Sequence, residues 1–160
     1  MTIEIEAPAP LGREAAEARR VLRELMRLHQ LRERDRVSVY GVTVSGAHAL
    51  EVLAERGPLS LSALSAELFV DRSTACRTVG LLEDRGWLAR LADARDGRAI
   101  RLELTEAGRV LEARLRQDAI WETEALLAAL PADDHAAALH LLRELTRASA
   151  AHAGVPEPAV

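Results

Sequence analysis

The feature that most constrains this chain is a change of hydrophobic period at Gly86. Before it, from Asp71 to Arg85, the apolar residues Ala75, Val79 and Leu82 recur at three- and four-residue spacing, the signature of one helix face. After it the period falls to two. Ile100, Leu102 and Leu104 alternate with Arg101 and Glu103, as on a half-buried strand. Glycine just past a helix end tolerates the backbone turn that stops the helix. The stretch from Trp87 to Leu91 then reads as a first strand. A polar loop from Ala92 to Arg98, with a turn at Asp96-Gly97, joins it to the second. A helix therefore feeds directly into a hairpin with a charged tip.

The rest of the chain reads mainly as helix. Residues 1–10 carry acids and two prolines and are expected to be a mobile arm. Residues 11–34 show a helical pattern built on Ala18, Val21, Leu22, Leu25, Met26 and Leu28. Val37 to Val44 is β-branched and interrupted by Gly41, so a connector is expected there. Ser45 is a candidate cap for a helix reaching about Arg56, which Gly57-Pro58 ends. Leu59 and Leu61 alternate with serines and suggest a short strand. A helix over about 62–68 and a tight turn at Phe69-Val70 follow, and Asp71 caps the next helix. Thr105 caps a long helix that Pro131 breaks; a last helix runs over about 132–150, and 151–160 is expected to be a flexible tail. The fold class is mainly α, with a helix-turn-helix at 62–85, a two-to-three-stranded wing, and long N- and C-terminal helices.

Composition narrows the function classes. About half the residues are apolar, 49%, enough for a real core, but Ala, Leu and Val dominate and aromatics are few. The net charge is -4, which counts against indiscriminate polyanion binding. The sign varies along the chain, however. The middle carries Arg72, Arg77, Arg85, Arg90, Arg95, Arg98 and Arg101, and there is no Lys, so each cation brings a bidentate guanidinium. A single cysteine, Cys76, excludes an internal disulfide. The acidic start and the absence of a long apolar run predict a cytoplasmic protein with no membrane span. No nucleophile–base arrangement or phosphate-binding glycine loop is evident, so no enzyme activity and no cofactor are expected. His29, His48, His135, His140 and His152 fit no zinc spacing, so no metal is expected.

In a helix-turn-helix the second helix lies in the major groove and offers its N-terminal residues to base edges. Here its outward face would offer Arg72, Ser73, Thr74, Cys76 and Arg77. Arginine pairs bidentately with guanine, and hydroxyls reach bases or phosphates. Arg95 and Arg98 at the hairpin tip would reach the backbone or a minor groove. The competing reading is a solvated helix face and a loop kept soluble by charge.

The stretch from Leu50 to Arg77, the segment Leu82-Glu-Asp-Arg-Gly-Trp-Leu-Ala-Arg90, and the wing Asp93-Ala-Arg-Asp-Gly-Arg98 resemble MarR-family regulators. So does the helix start Leu104-Thr105-Glu-Ala-Gly108. The resemblance is dense over roughly 45–110. It implies a bacterial homodimer of triangular shape on a pseudo-palindromic operator, with 45–104 as the winged DNA-binding domain. Residues 11–34 and 105–150 would supply dimerisation helices. Arg98 would be the wing arginine, with Asp96 steadying it. The implied function is transcriptional control, usually repression relieved by a small molecule or an oxidant. Phe69 departs from the pattern, standing where a small turn residue is common.

Three side questions stay open on the residues alone. Cys76 is either a redox-sensitive thiol near Arg72 and Arg77 or a small residue against DNA. His29, Tyr40, His48 and Trp121 either line an effector pocket, an analogy with the family, or serve ordinary packing. The alternative function is a winged-helix protein-interaction module without DNA binding, which the acidic net charge favours and the exposed arginines oppose.

Overall fold

A computed structural model describes residues 12–92 and 100–155 of the chain. Six α-helices and a two-stranded antiparallel sheet follow one another as α1 (Arg13–Ser38), α2 (Val44–Arg56), α3 (Leu61–Glu67), α4 (Arg72–Asp84), β1 (Leu88–Ala92), β2 (Ile100–Leu104), α5 (Glu106–Ala128) and α6 (His135–Ala153). A short 3-10 turn, Ala132–Asp134, precedes α6 behind Pro131. The chain divides into two compact units after Leu115, inside α5.

The helix starts are set by side-chain caps. Thr43 accepts a hydrogen bond from the Gly46 amide at 3.1 Å, and Ser60 from the Ala63 amide at 3.1 Å. Asp71 accepts from the Thr74 amide at 2.9 Å. Each satisfies an amide that the helix itself leaves unpaired. Two expectations change here. Thr43, not Ser45, caps α2. The segment from Val37 is not all connector, because α1 continues through Ser38. Val37 is only 1% exposed and joins the core, so burial outweighs the weak helix propensity of a β-branched residue.

The first unit has one hydrophobic core. Leu50 and Leu53 of α2, Leu64 of α3, Val79 and Leu82 of α4, Leu88 of β1, Leu102 and Leu104 of β2, and Leu111 and Leu115 of α5 pack together. The sheet pairs Leu88 with Leu104, Arg90 with Leu102 and Ala92 with Ile100. Leu59 adds an isolated bridge to Leu102, with reciprocal hydrogen bonds of 3.2 and 2.7 Å. The expected short strand is thus a single bridge alongside the two-stranded wing.

The junction of α4, β1 and α5 explains why the sequence carries Leu-Thr-x-x-Gly here. The Thr105 hydroxyl donates to the Gly86 carbonyl at 2.6 Å and accepts from the Gly108 amide at 3.0 Å. The Thr105 amide donates to the Trp87 carbonyl at 3.1 Å. A Cβ on Gly108 would lie 1.9 Å from that same carbonyl oxygen, so only glycine fits. Gly86 itself has φ +72°, the left-handed conformation that ends α4. Phe69 also has positive φ, +52°, and is the single non-glycine so placed among the described residues.

Candidate nucleic-acid interface

The inward stripe of α4 holds Ala75, Thr78, Val79 and Leu82, all buried. Helical geometry then turns Arg72, Ser73, Cys76 and Arg77 outward, and all four are exposed; Thr74 is half-buried. Hydrogen bonds hold this face in a defined arrangement. The Ser73 hydroxyl donates to Asp71 Oδ1 at 2.5 Å, and the Thr74 hydroxyl to Asp71 Oδ2 at 2.7 Å. Arg77 Nη2 donates to Thr74 Oγ1 at 3.3 Å, and Arg72 Nη1 to the Ser62 hydroxyl of α3 at 2.7 Å.

The electrostatic consequence is clear. Hydrogen bonds from the Ser73 and Thr74 hydroxyls, with the Thr74 amide, hold the Asp71 carboxyl well below the usual carboxylate range. Arg72 and Arg77 donate to neutral hydroxyls, and among the described residues neither forms an ion pair. Their charge is not neutralised within the described chain.

The wing root is tied to the same helix. Arg90 of β1 donates through Nε to Glu83 of α4 at 2.9 Å. Arg90 was not singled out from sequence. The two-residue period carries the signal: Leu88, Arg90 and Ala92 share a face with the buried Leu102 and Leu104. Ser62, the partner of Arg72, left no comparable trace. Arg95, Asp96 and Arg98 lie outside the described residues.

The model of the MarR family matches residues 40–99, which span the helix-turn-helix and the first wing strand. A curated relative from Thauera aromatica, named for transcriptional regulation of the hcr operon, is 32% identical over 107 residues, 67% of this chain. The chain belongs to the MarR family.

Solved members share the fold. A MarR-family protein from Bacillus stearothermophilus is 25% identical, with a TM-score of 0.77 over 86% of this chain and 96% of its own. Apo MarR from E. coli, 21% identical, superposes with a TM-score of 0.71 over 88% of this chain and 98% of its own. BpsR from Bordetella bronchiseptica, whose DNA binding is regulated by 6-hydroxynicotinic acid, is 23% identical with a TM-score of 0.67, over 81% and 98%. The chain spans 64% of the length of the Thauera relative. Members of the MarR family are transcription regulators, not enzymes.

The residues weighed as an effector pocket fall in different places. His48 Nε2 of α2 lies 2.8 Å from Glu33 Oε1, and His29 Nε2 of α1 lies 3.8 Å from Glu33 Oε2. Glu33, absent from the sequence reading, gathers the two histidines, with Arg36 at 3.9 Å. Tyr40 is half-buried against the core of the first unit. Trp121 belongs to the second unit and is 70% exposed on α5. Among the described residues no group of three His, Cys, Asp or Glu side chains could hold a metal ion, and no helix is long and apolar enough to cross a membrane.

Proposed function

We propose that this chain is a homodimeric, sequence-specific DNA-binding regulator of transcription acting in the cytoplasm, a repressor relieved by a small molecule or an oxidant. The observation that carries the reading is α4: a capped helix whose exposed face presents Arg72 and Arg77 without a carboxylate partner among the described residues. In this reading Arg72, Ser73, Thr74, Cys76 and Arg77 face the major groove. Arg98, supported by Asp96 and joined by Arg95, grips the backbone at the wing.

The dimer has separate support. Along α1, Val21, Leu22, Leu25, Met26, Leu28 and Leu31 are each at least 40% exposed, and Val37 is the helix's one buried residue. An apolar stripe of that length needs a partner surface. A second copy of the chain, paired about a two-fold axis, supplies one and sets two α4 helices on two half-sites. Small-molecule relief is supported by the regulated DNA binding of BpsR, and 6-hydroxynicotinic acid is a first compound to screen.

A gel-shift titration against the DNA upstream of the protein's own gene, at two salt concentrations, tests the reading. Tight, sequence-selective and salt-sensitive binding is expected. If that DNA and a selection from random duplexes both yield nothing from a folded dimer, the protein-interaction reading replaces this one.

A further inference from the structure

Resting on the DNA-binding reading of α4, we infer that Ser73 reads the operator as a hydrogen-bond acceptor, selecting a base that presents an exocyclic amine in the major groove: adenine N6 or cytosine N4.

A serine hydroxyl has one proton and two lone pairs. In a free side chain the proton turns either way, so serine normally accepts any base. Here the proton is committed. Ser73 Oγ lies 2.5 Å from Asp71 Oδ1, the short distance of a hydroxyl donating to a charged oxygen. An ionised carboxylate accepts and never donates, so Asp71 imposes the direction of the bond. The Thr74 hydroxyl and amide donate to the same carboxylate at 2.7 and 2.9 Å. What the exposed Ser73 oxygen offers outward is its lone pairs.

The four base pairs differ in what can meet such a group. Adenine N6 and cytosine N4 donate, whereas guanine N7 and O6 and thymine O4 accept. Against an accepting edge, Ser73 must either face lone pair to lone pair or give up its bond to Asp71. Thr74 contributes less, because it is half-buried and one lone pair already takes the Arg77 guanidinium at 3.3 Å. The neighbouring side chains divide the labour: Arg72 and Arg77 can only donate, and Ser73 is held as an acceptor.

The test begins with duplexes selected by the wild-type protein from a random pool. In the selected sequence each adenine is replaced in turn by purine, which lacks the N6 amine, and each cytosine by 2-pyrimidinone, which lacks the N4 amine. Affinities are measured for wild type, Ser73→Ala and Asp71→Gly. Glycine is tolerated at a helix N-cap, so Asp71→Gly is expected to fold, and it removes the oxygen to which Ser73 donates, freeing the Ser73 proton. One position per half-site should lose about 3- to 10-fold in wild type when its amine is removed, and less than twofold in Ser73→Ala. Selection with Asp71→Gly should relax that position so that it also admits thymine or guanine. The purine and 2-pyrimidinone series tell adenine from cytosine. Indifference to every amine, or equal dependence in Ser73→Ala, overturns the inference while leaving DNA binding intact. Failure of the wild type to select any sequence overturns both.

Discussion

Asp71 concentrates more structure than any other exposed side chain on α4. It caps the helix and fixes Ser73 and Thr74, and those hydrogen bonds depress its pKa. A carboxyl whose pKa is lower folded than unfolded contributes stability that is present above the unfolded value, about 3.9, and is lost as pH falls through the folded one. The melting-temperature gap between wild type and Asp71→Ala should therefore be full at neutral pH and narrow below about pH 4; thermal scans from pH 7 to 3 measure it. The arginines divide by the kind of contact proposed for them. Arg77→Ala should broaden the sequences recovered from a random pool, because it removes a base-reading donor. Arg98→Ala should weaken all sequences alike and make the slope of log affinity against log salt shallower by about 1.8, roughly 0.9 for each of the dimer's two wings. Two mutants that bind like wild type would remove both residues from the interface.

At the scale of elements, the α4–wing–α5 junction leaves no room for variation and the α3–α4 turn is strained. Gly108→Ala drives a methyl into the Trp87 carbonyl at a nominal 1.9 Å. Backbone must move, and the expected loss is at least about 2 kcal/mol, read as a fall in denaturant midpoint. Phe69→Gly should act in the opposite direction. Phe69 holds φ +52° while 71% exposed, so its side chain recovers little burial for a backbone strain of about 1–2 kcal/mol. Glycine relieves that strain and should raise the melting temperature by a few degrees. An unchanged or lower value would mean that the aromatic ring stabilises the turn in some other way.

For the molecule as a whole, the exposed apolar stripe of α1 is the feature an isolated chain does not account for. Replacing Leu25, 52% exposed, and Met26, 58% exposed, with glutamate should leave the core cluster intact, since neither belongs to it. Light scattering after size exclusion should then report a monomer with a native circular dichroism spectrum, and operator affinity should collapse with the second half-site contact. A stable dimer carrying both substitutions would move the interface elsewhere.

Periodicity and capping chemistry, both local, were enough to read the helices, the hairpin and the cap at Asp71 from sequence, and the family followed from motif resemblance. They sufficed because the buried stripe of α4 and the alternation in β2 are written in consecutive residues. Where the reading failed, long-range contacts decided. Val37 is helical because the core covers it, whereas the cap of α2 at Thr43 was a local choice between two residues equally eligible by type. Gly108 is glycine because a carbonyl from another element approaches it, and Arg90 and Ser62 matter through partners seven and ten residues away. The residue types on the outward face of α4 follow from sequence alone. The proton directions of Ser73 and Thr74 are set locally by the Asp71 cap, whereas the anchor of Arg72, the Ser62 hydroxyl at 2.7 Å, is brought to it only by the packing of α3 against α4.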